Sequence, residues 1–292
     1  MGIPEYIAPS CLEDALKIKQ EKGADARVIA GGTDLILRMR DRLLAPGILV
    51  DLRQFSLDKI TSHNDEIHLG ASVTLSQLLH SSEIATEFPA LLEACRPFAG
   101  PPIRNRGTLG GNIVNASPAA DLVPPLMAYD ASIVLSSSSG DRVMPLTEFL
   151  TGPGQTVMRP DEILTEVRIP LVPPATVASF TKLGQRRSMA ISIVNLGIRV
   201  TLAATGVVID ARIVLGSVAP TVVRAIAAEG ILEGNKISTE LIEQAANKAS
   251  EEISPITDVR ASKHYRLQMT KVLVRRALNA AWHDLGINES ND

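Results

Sequence analysis

The sequence predicts an α+β protein of more than one domain. Three observations carry this reading: an apolar strand–helix–strand pattern near the N-terminus, a proline-rich break at "LVPPAT" (171–176), and three strand-like runs followed by helical ones beyond it. A length of 292 residues also exceeds the size at which a single core stops growing.

The first element is "SCLEDALKIKQEKG" (10–23). Ser10 and Glu13 have the spacing of a capping box, Leu12, Ala15, Leu16 and Lys19 trace one side of a helix, and Gly23 supplies its stop. "ARVIA" follows as a short strand, Gly31 and Gly32 interrupt it, and "DLILRMRDRLL" resumes with the helical repeat Leu35, Met39, Leu43. "GILVDL" (47–52) is the next strand, so a parallel pair covered by a helix is expected. From Asp58 the pattern changes. "KITS" and "IHLGAS" flank the polar "HNDE" as a hairpin, and short helices are expected at 74–80 and 90–98. The stretch "AGPPIRNRGTLGGNIVNASPAADLVPPLMAYDA" is dense in Gly, Pro and Asn yet apolar, the profile of a functional loop, and it ends in a helix that can start near Pro118. "SIVLSSSSGDRVMPL" reads as a hairpin turning at Ser139, Gly140 and Asp141, and "EILTEVRIP" (162–170) as another strand. Beyond the linker lie the strands "ASFTKL", "VNLGIRVTLAA" and "VVIDARIVLGS", then helices near 221–228, 239–253 and 262–285.

Composition excludes several functions. The net charge is −3 and the cations are dispersed, so there is no basic stripe for nucleic acid. No apolar run reaches the roughly 18 residues of a membrane span, and "MGIPEYIAPS" lacks the pattern of an export signal, so a cytoplasmic location is expected. The two cysteines, Cys11 and Cys95, read as small buried hydrophobes, since an iron–sulfur cluster wants about four thiolates. The five histidines show no metal spacing, and no metal is expected in this chain.

The chemistry concentrates in two glycine pairs. Gly31 and Gly32 stand at a strand-to-helix junction, where glycine lets backbone N–H groups approach an anion and a helix N-terminus faces the same spot. Taken alone, the pair reads first as a plain turn, with Thr33 or Asp34 capping the helix. Neither G-x-G-x-x-G nor the lysine of a P-loop is present. The segment "GTLGGN" (107–112) repeats the device, adding the Thr108 hydroxyl and the Asn112 amide, so two loops could close on one diphosphate. Downstream, Asp121 could accept hydrogen bonds from ribityl or ribose hydroxyls, or complement a helix dipole.

Taken together, "AGGTDLI", the long "AGPPIRNRGTLGGN" loop, "RPDEILTEVRIP" and "FTKLGQRR" resemble, in order and spacing, the FAD-binding medium subunit of molybdenum-containing hydroxylases, the family of carbon monoxide dehydrogenase flavoprotein and the flavin portion of xanthine dehydrogenase. The resemblance covers essentially the whole chain. It implies a vanillyl-alcohol-oxidase (PCMH) type of FAD-binding domain made of two α/β subdomains, 1–55 and 56–174, followed by an α+β C-terminal domain, 175–286, with a three-stranded antiparallel sheet and helices.

The same resemblance implies site residues. Ile29, Ala30, Gly31, Gly32, Thr33, Asp34 and Leu35 match the first loop, with the N–H groups of Gly31 to Asp34 on the diphosphate. Thr108, Gly110, Gly111 and Asn112 match the second. Phe98 matches a position along the cofactor, Asp121 the acid that bonds its sugar hydroxyls, and Leu164 and Lys182 positions near the isoalloxazine ring. A lysine there would help carry negative charge on the pyrimidine end of reduced flavin. Ile191 matches the residue that shields the flavin face near N5. The resemblance gives no reason for an acid, Asp34, beside a diphosphate. No catalytic side chain and no metal are implied for this chain.

The resemblance further implies a relay. A large molybdopterin subunit hydroxylates an N-heterocycle, purine or aldehyde, a small subunit with [2Fe-2S] clusters passes the electrons on, and FAD here delivers them to NAD, a quinone, a redox protein or oxygen. Molybdopterin and clusters belong to partner subunits, with a dimer of heterotrimers expected. No cysteine-bearing insertion of the benzoyl-CoA-reducing branch is present. A freestanding flavin dehydrogenase or oxidase and a non-catalytic assembly subunit stand as alternatives.

Overall fold

The structure, a computed structural model, describes residues 3–186 and 189–286 and falls into two compact units. The first comprises Met1–His80, Gly100–Ala116 and Asp130–Pro170; the second comprises Ser81–Ala99, Ser117–Tyr129 and Leu171–Asp292.

In the first unit, the strands Glu5–Ile7, Ile48–Asp51 and Ala26–Ile29 lie side by side in that order, all parallel. Their Val, Ile and Ala side chains face the helix Leu12–Lys22, whose Ala15 and Leu16 join Ala26, Ile48 and Val50 in one core. The helix stops at Gly23, where φ is 54° and the N–H donates to the Lys19 carbonyl. Lys19 itself is buried, and its Nζ donates to the carbonyls of Gly23 (3.0 Å) and Ala26 (2.7 Å). Burial pushes its pKa down to about 8. The capping box does not form: Cys11 occupies the N-cap without a side-chain bond, and the Ser10 hydroxyl donates instead to the Asp14 carboxylate at 3.2 Å. Cys11 is accordingly only half-buried, whereas Cys95 is buried.

The helix after the glycine pair is short, Leu35–Arg40, with no buried residue. Leu43, the third member of the expected repeat, is 71% exposed. The helix cannot reach it, because Arg42 takes a left-handed φ of 59°.

A second, antiparallel sheet of the same unit has the order Ile60–His63, Glu66–Gly70, Ile163–Pro170, Ser132–Ser137, Gly140–Pro145. The "EILTEVRIP" strand is central, which explains its apolar alternation. Ser137 pairs with Gly140, so the second hairpin turns at Ser138 and Ser139, one residue earlier than expected. The long glycine- and proline-rich stretch resolves into the short helices Pro101–Arg104 and Leu109–Val114 in this unit, and Val123–Ala128 in the second. That last helix begins after Pro118, at Val123, with prolines in its first turn.

The second unit is built on an antiparallel sheet of Thr176–Gly184, Ser192–Leu202, Val208–Gly216 and Val223–Arg224. The expected three strands are joined by a fourth of two residues, too short to leave a sequence pattern. Helices Ile226–Leu232, Thr239–Glu251 and Lys263–Asp284 follow, the last two capped by the hydroxyls of Ser238 and Ser262. Val194, Ile198, Val200 and Ile213 of the sheet meet Ala245, Ala249, Val274 and Leu278 of the helices in one core. Among the described residues, no helix is long and apolar enough to cross a membrane.

Candidate cofactor site

The two glycine loops, far apart in sequence, meet in the first unit. A Cβ on Gly31 would overlap the carbonyl oxygen of Arg106 and stand 3.2 Å from the Gly107 Cα; one on Gly107 would lie 3.7 Å from the Thr33 hydroxyl. The backbones touch, and only glycine permits it. Gly32 serves a different need: its φ is +72°, with the side chains of Ile29 and Ile36 at 3.4 Å from where a Cβ would stand.

The hydrogen bonds separate the two loops. In the first, Gly32 and Ile29 use their carbonyls to accept from Ile36 and Leu52, while among the described residues the N–H groups of Gly31, Gly32, Thr33 and Asp34 have no partner. In the second, every N–H from Leu109 to Asn112 is engaged. Leu109 donates to Val73 O and Gly110 to Ala71 O, both at 2.8 Å, and Asn112 donates to Thr108 O at 3.0 Å. Gly111 donates to the Thr108 hydroxyl at 3.1 Å, the N-cap bond of the helix Leu109–Val114. Gly110 is needed for packing, since its Cβ would come within 2.7 Å of the Ala71 Cβ. What the second loop has left to offer is the Thr108 O–H proton and the Asn112 amide, whose Oδ1 is buried without a partner.

Asp34 sits at the N-cap of Leu35–Arg40 but makes no capping bond, and it is exposed. Neither it nor Thr33 is the cap that the plain-turn reading required. Ala30 and Leu35 flank the free amides and are half-buried. Leu164 lies in the core of the antiparallel sheet, 4% exposed and opposite Leu135, next to a bulge at which Thr165 O accepts from Ala71 N–H at 2.9 Å. At the carboxyl edge of the parallel sheet, beside Ile29, Asp51 is buried and accepts from the Tyr6 hydroxyl and the Arg53 guanidinium. Burial alone would raise its pKa, but the Arg53 and Tyr6 hydrogen bonds outweigh it and hold the carboxyl at about 2.

In the second unit the remaining polar residues converge on Asp121, which is 4% exposed. Its Oδ1 accepts from the Ser192 hydroxyl at 2.6 Å and the Asn195 amide at 2.9 Å; its Oδ2 accepts from the Lys182 ammonium at 2.5 Å. Asp121 precedes the helix Val123–Ala128 and is not a first-turn acid, since Leu122 is the N-cap. Lys182 also lines a cavity of about 410 Å³ with Glu93, Pro97, Phe180 and Arg186. Phe98, the last residue of the helix expected at 90–98, falls beyond the observed helix Pro89–Cys95 and is half-buried. Ile191 is 54% exposed, just before the strand Ser192–Leu202. Arg187 of "FTKLGQRR" lies outside the described residues.

Sequence reasoning missed Ser192 and Asn195. Asn195 left a signal: an amide inside the apolar run "ISIVNLG" must be hydrogen-bonded if that strand is buried. The Arg106 carbonyl left none.

Comparisons with known proteins agree with this architecture. The model of the FAD binding domain in molybdopterin dehydrogenase matches residues 2–172, and that of the CO dehydrogenase flavoprotein C-terminal domain matches 179–281. The 6-hydroxypseudooxynicotine dehydrogenase complex subunit alpha of Paenarthrobacter nicotinovorans is 33% identical over 280 residues, 96% of this chain and 94% of that one. The carbon monoxide dehydrogenase medium chain of Hydrogenophaga pseudoflava is 31% identical over 280 residues, 95% of this chain and 96% of that one. A solved structure of carbon monoxide dehydrogenase from Hydrogenophaga pseudoflava, lacking the Mo-pyranopterin moiety, superposes with a TM-score of 0.92 at 32% identity, covering 97% of this chain and 99% of that one. The chain therefore belongs to the FAD-binding subunits of the molybdenum hydroxylases, the oxidoreductase family that includes the carbon monoxide and xanthine dehydrogenases.

Proposed function

We propose that this chain is the electron-relay subunit of a heteromeric molybdenum hydroxylase, taking electrons from iron–sulfur clusters of a small partner and passing them to an external acceptor. The observation that carries the reading is the run of four N–H groups from Gly31 to Asp34 that have no partner among the described residues, at a strand end where the backbone is open to an anion. FAD, when bound, supplies the exchange of single electrons with clusters and of electron pairs with a hydride acceptor or another oxidant.

The chain's own residues hold and insulate. The free amides take the diphosphate, Thr108 and Asn112 add donors from the second loop, and the absence of a side chain at Gly31 lets the two loops lie against each other. Asp34 contributes its N–H while its carboxylate stays in water, which answers how an acid can stand in a phosphate cradle. Lys182 brings a positive charge toward the pyrimidine end of the ring, Phe98 lies along the cofactor, Ile191 limits access at N5, and Leu164 supports the loops from the sheet beneath. Residues 1–55 and 56–174 form the two subdomains of the FAD-binding domain, and 175–286 the C-terminal domain. The partners are a small iron–sulfur and a large molybdopterin subunit, in a dimer of heterotrimers located in the cytoplasm. The organic substrate is an N-heterocycle, purine or aldehyde; the relative named for 6-hydroxypseudooxynicotine supports the heterocycle.

The test is anaerobic addition of candidate substrate to the chain alone and to the chain purified with its neighbours, following the absorbance of oxidised flavin. Bleaching in the complex alone is expected. Bleaching of the isolated chain would establish a freestanding dehydrogenase instead, and a complex whose FAD never bleaches would make the chain an assembly subunit.

A further inference from the structure

We propose that residues 35–43 of the first unit form the surface on which the small iron–sulfur partner docks. The inference rests on the reading that such a partner delivers electrons to this chain, and it adds where on the chain that partner sits.

The helix Leu35–Arg40 buries none of its residues, although half of them are large and aliphatic or Met. Ile36 and Leu37 are 46% and 45% exposed, and Leu43, just beyond the helix end, is more exposed still. Apolar residues exposed singly need no explanation, but three within one turn and its exit make a patch. The backbone fixes them. Ile36 N–H donates to the Gly32 carbonyl at 3.1 Å, and Leu43 N–H to the Arg38 carbonyl at 2.8 Å. A patch held in place before contact is what an interface needs, because little order remains to be imposed on binding.

Charge narrows the occupant. Residues 34–43 and 101–106 carry five arginines against two aspartates, in a chain whose net charge is −3. The two segments are neighbours, since the Arg106 carbonyl lies against Gly31. Helix Pro101–Arg104 adds the exposed Ile103, and Asp41 is already paired with Arg40 at 3.0 Å. An apolar patch with a cationic rim fits a protein surface whose apolar contact is ringed by carboxylates.

Position selects among the partners. The helix leaves the loop whose four amides take the diphosphate, so whatever covers it stands beside the cofactor. Electron exchange falls steeply with distance, which obliges the cluster-bearing subunit to approach there. The molybdopterin subunit is under no such demand, because its electrons arrive through the clusters.

The test is co-purification of the heteromeric complex through a tag on this chain, with each subunit quantified by mass spectrometry. Leu37→Glu and Leu43→Glu alter exposed side chains, so thermal stability and FAD content are expected to stay at the wild-type level. Retention of the small subunit is expected to fall by about tenfold or more in either variant, since a carboxylate would be desolvated at the contact. Arg42→Glu should weaken retention as well, and added salt should weaken the wild-type complex. If both leucine variants keep the small subunit at the wild-type level, the inference is overturned while the relay reading stands. Loss of the large subunit or of a second copy of this chain, with the small subunit retained, overturns it equally. A wild-type complex that holds no iron–sulfur subunit removes the reading and the inference together. Should a leucine variant lose FAD, a photo-crosslinking residue in place of Leu43 is used instead: a crosslink to the small subunit is expected, and one to any other chain overturns the inference.

Discussion

In the "AGGTD" loop the N–H groups of four successive residues stand without partners among the described residues, whereas in the "GTLGGN" loop the corresponding groups are bonded to Ala71, Val73 and Thr108. Both segments carry adjacent glycines near a threonine at the start of a six-residue helix, but the first pair stands before its helix Leu35–Arg40 and the second lies inside the first turn of Leu109–Val114. The glycines nonetheless answer different demands. Gly31 makes room for the Arg106 carbonyl, Gly32 adopts a left-handed turn, and Gly110 lets its helix lie against Ala71. A glycine pair marks close approach of backbone, but whether its amides are available to a ligand depends on what the rest of the fold has already bonded. In the proposed cradle the first loop is the donor face, and the second is its rigid wall.

The difference between the loops depends most heavily on Gly31. Gly31→Ala places a methyl group on the Arg106 carbonyl, so the loops must separate. A stability loss of about 3 kcal/mol and near-complete loss of extractable FAD are expected, read by thermal denaturation and flavin absorbance. Gly110→Ala should destabilise by roughly 2 kcal/mol through its collision with Ala71, yet leave FAD stoichiometric in the folded fraction. Equal FAD loss in both variants would erase the distinction between donor face and wall. Gly32→Val forces a β-branched residue to a φ of +72°, at a cost of roughly 1–2 kcal/mol, and should lower FAD content. Stoichiometric FAD in that variant would move the cradle elsewhere.

The smallest effect concerns acid. Asp51 neighbours the start of the first loop, and its carboxyl is held at about 2 against an ordinary 3.8. Because the native pKa lies below the unfolded one, this carboxylate contributes stability above about pH 3.8 and loses it progressively as pH falls toward 2. Asp51→Asn should flatten that part of the stability curve, measured by denaturant titration between those limits. An unaltered acid limb would mean that Arg53 and Tyr6 do not stabilise the strand end.

Much of the fold was legible because its elements announce themselves locally. Gly23 stops its helix with a positive φ, the "HNDE" hairpin pairs as its alternation suggests, and Pro170 closes a strand ahead of the proline-rich linker. The failures have different causes. The two-residue strand Val223–Arg224 is set by its neighbour in space, the capping box at Ser10 lost to a local bond with Asp14, and the Leu35, Met39, Leu43 repeat was cut short by the backbone at Arg42. The site divides in the same way. Its residue types could be read from the two glycine pairs, but the partners of Gly110 and Leu109 come from residues 71 and 73, and no local pattern reports them. The Asp121 seat was half legible, since Asn195 interrupts an apolar strand and so demands a partner, while Ser192 is an ordinary strand residue until the carboxylate is seen beside it.

Hydrogen exchange of the backbone amides, compared between the FAD-free and FAD-loaded chain, tests the donor assignment most directly. The amides of Gly31 to Asp34 are expected to exchange quickly without FAD and to become protected on loading, while those of Leu109 to Asn112 are protected in both states. Protection gained at Leu109 to Asn112 with none at Gly31 to Asp34 would contradict it.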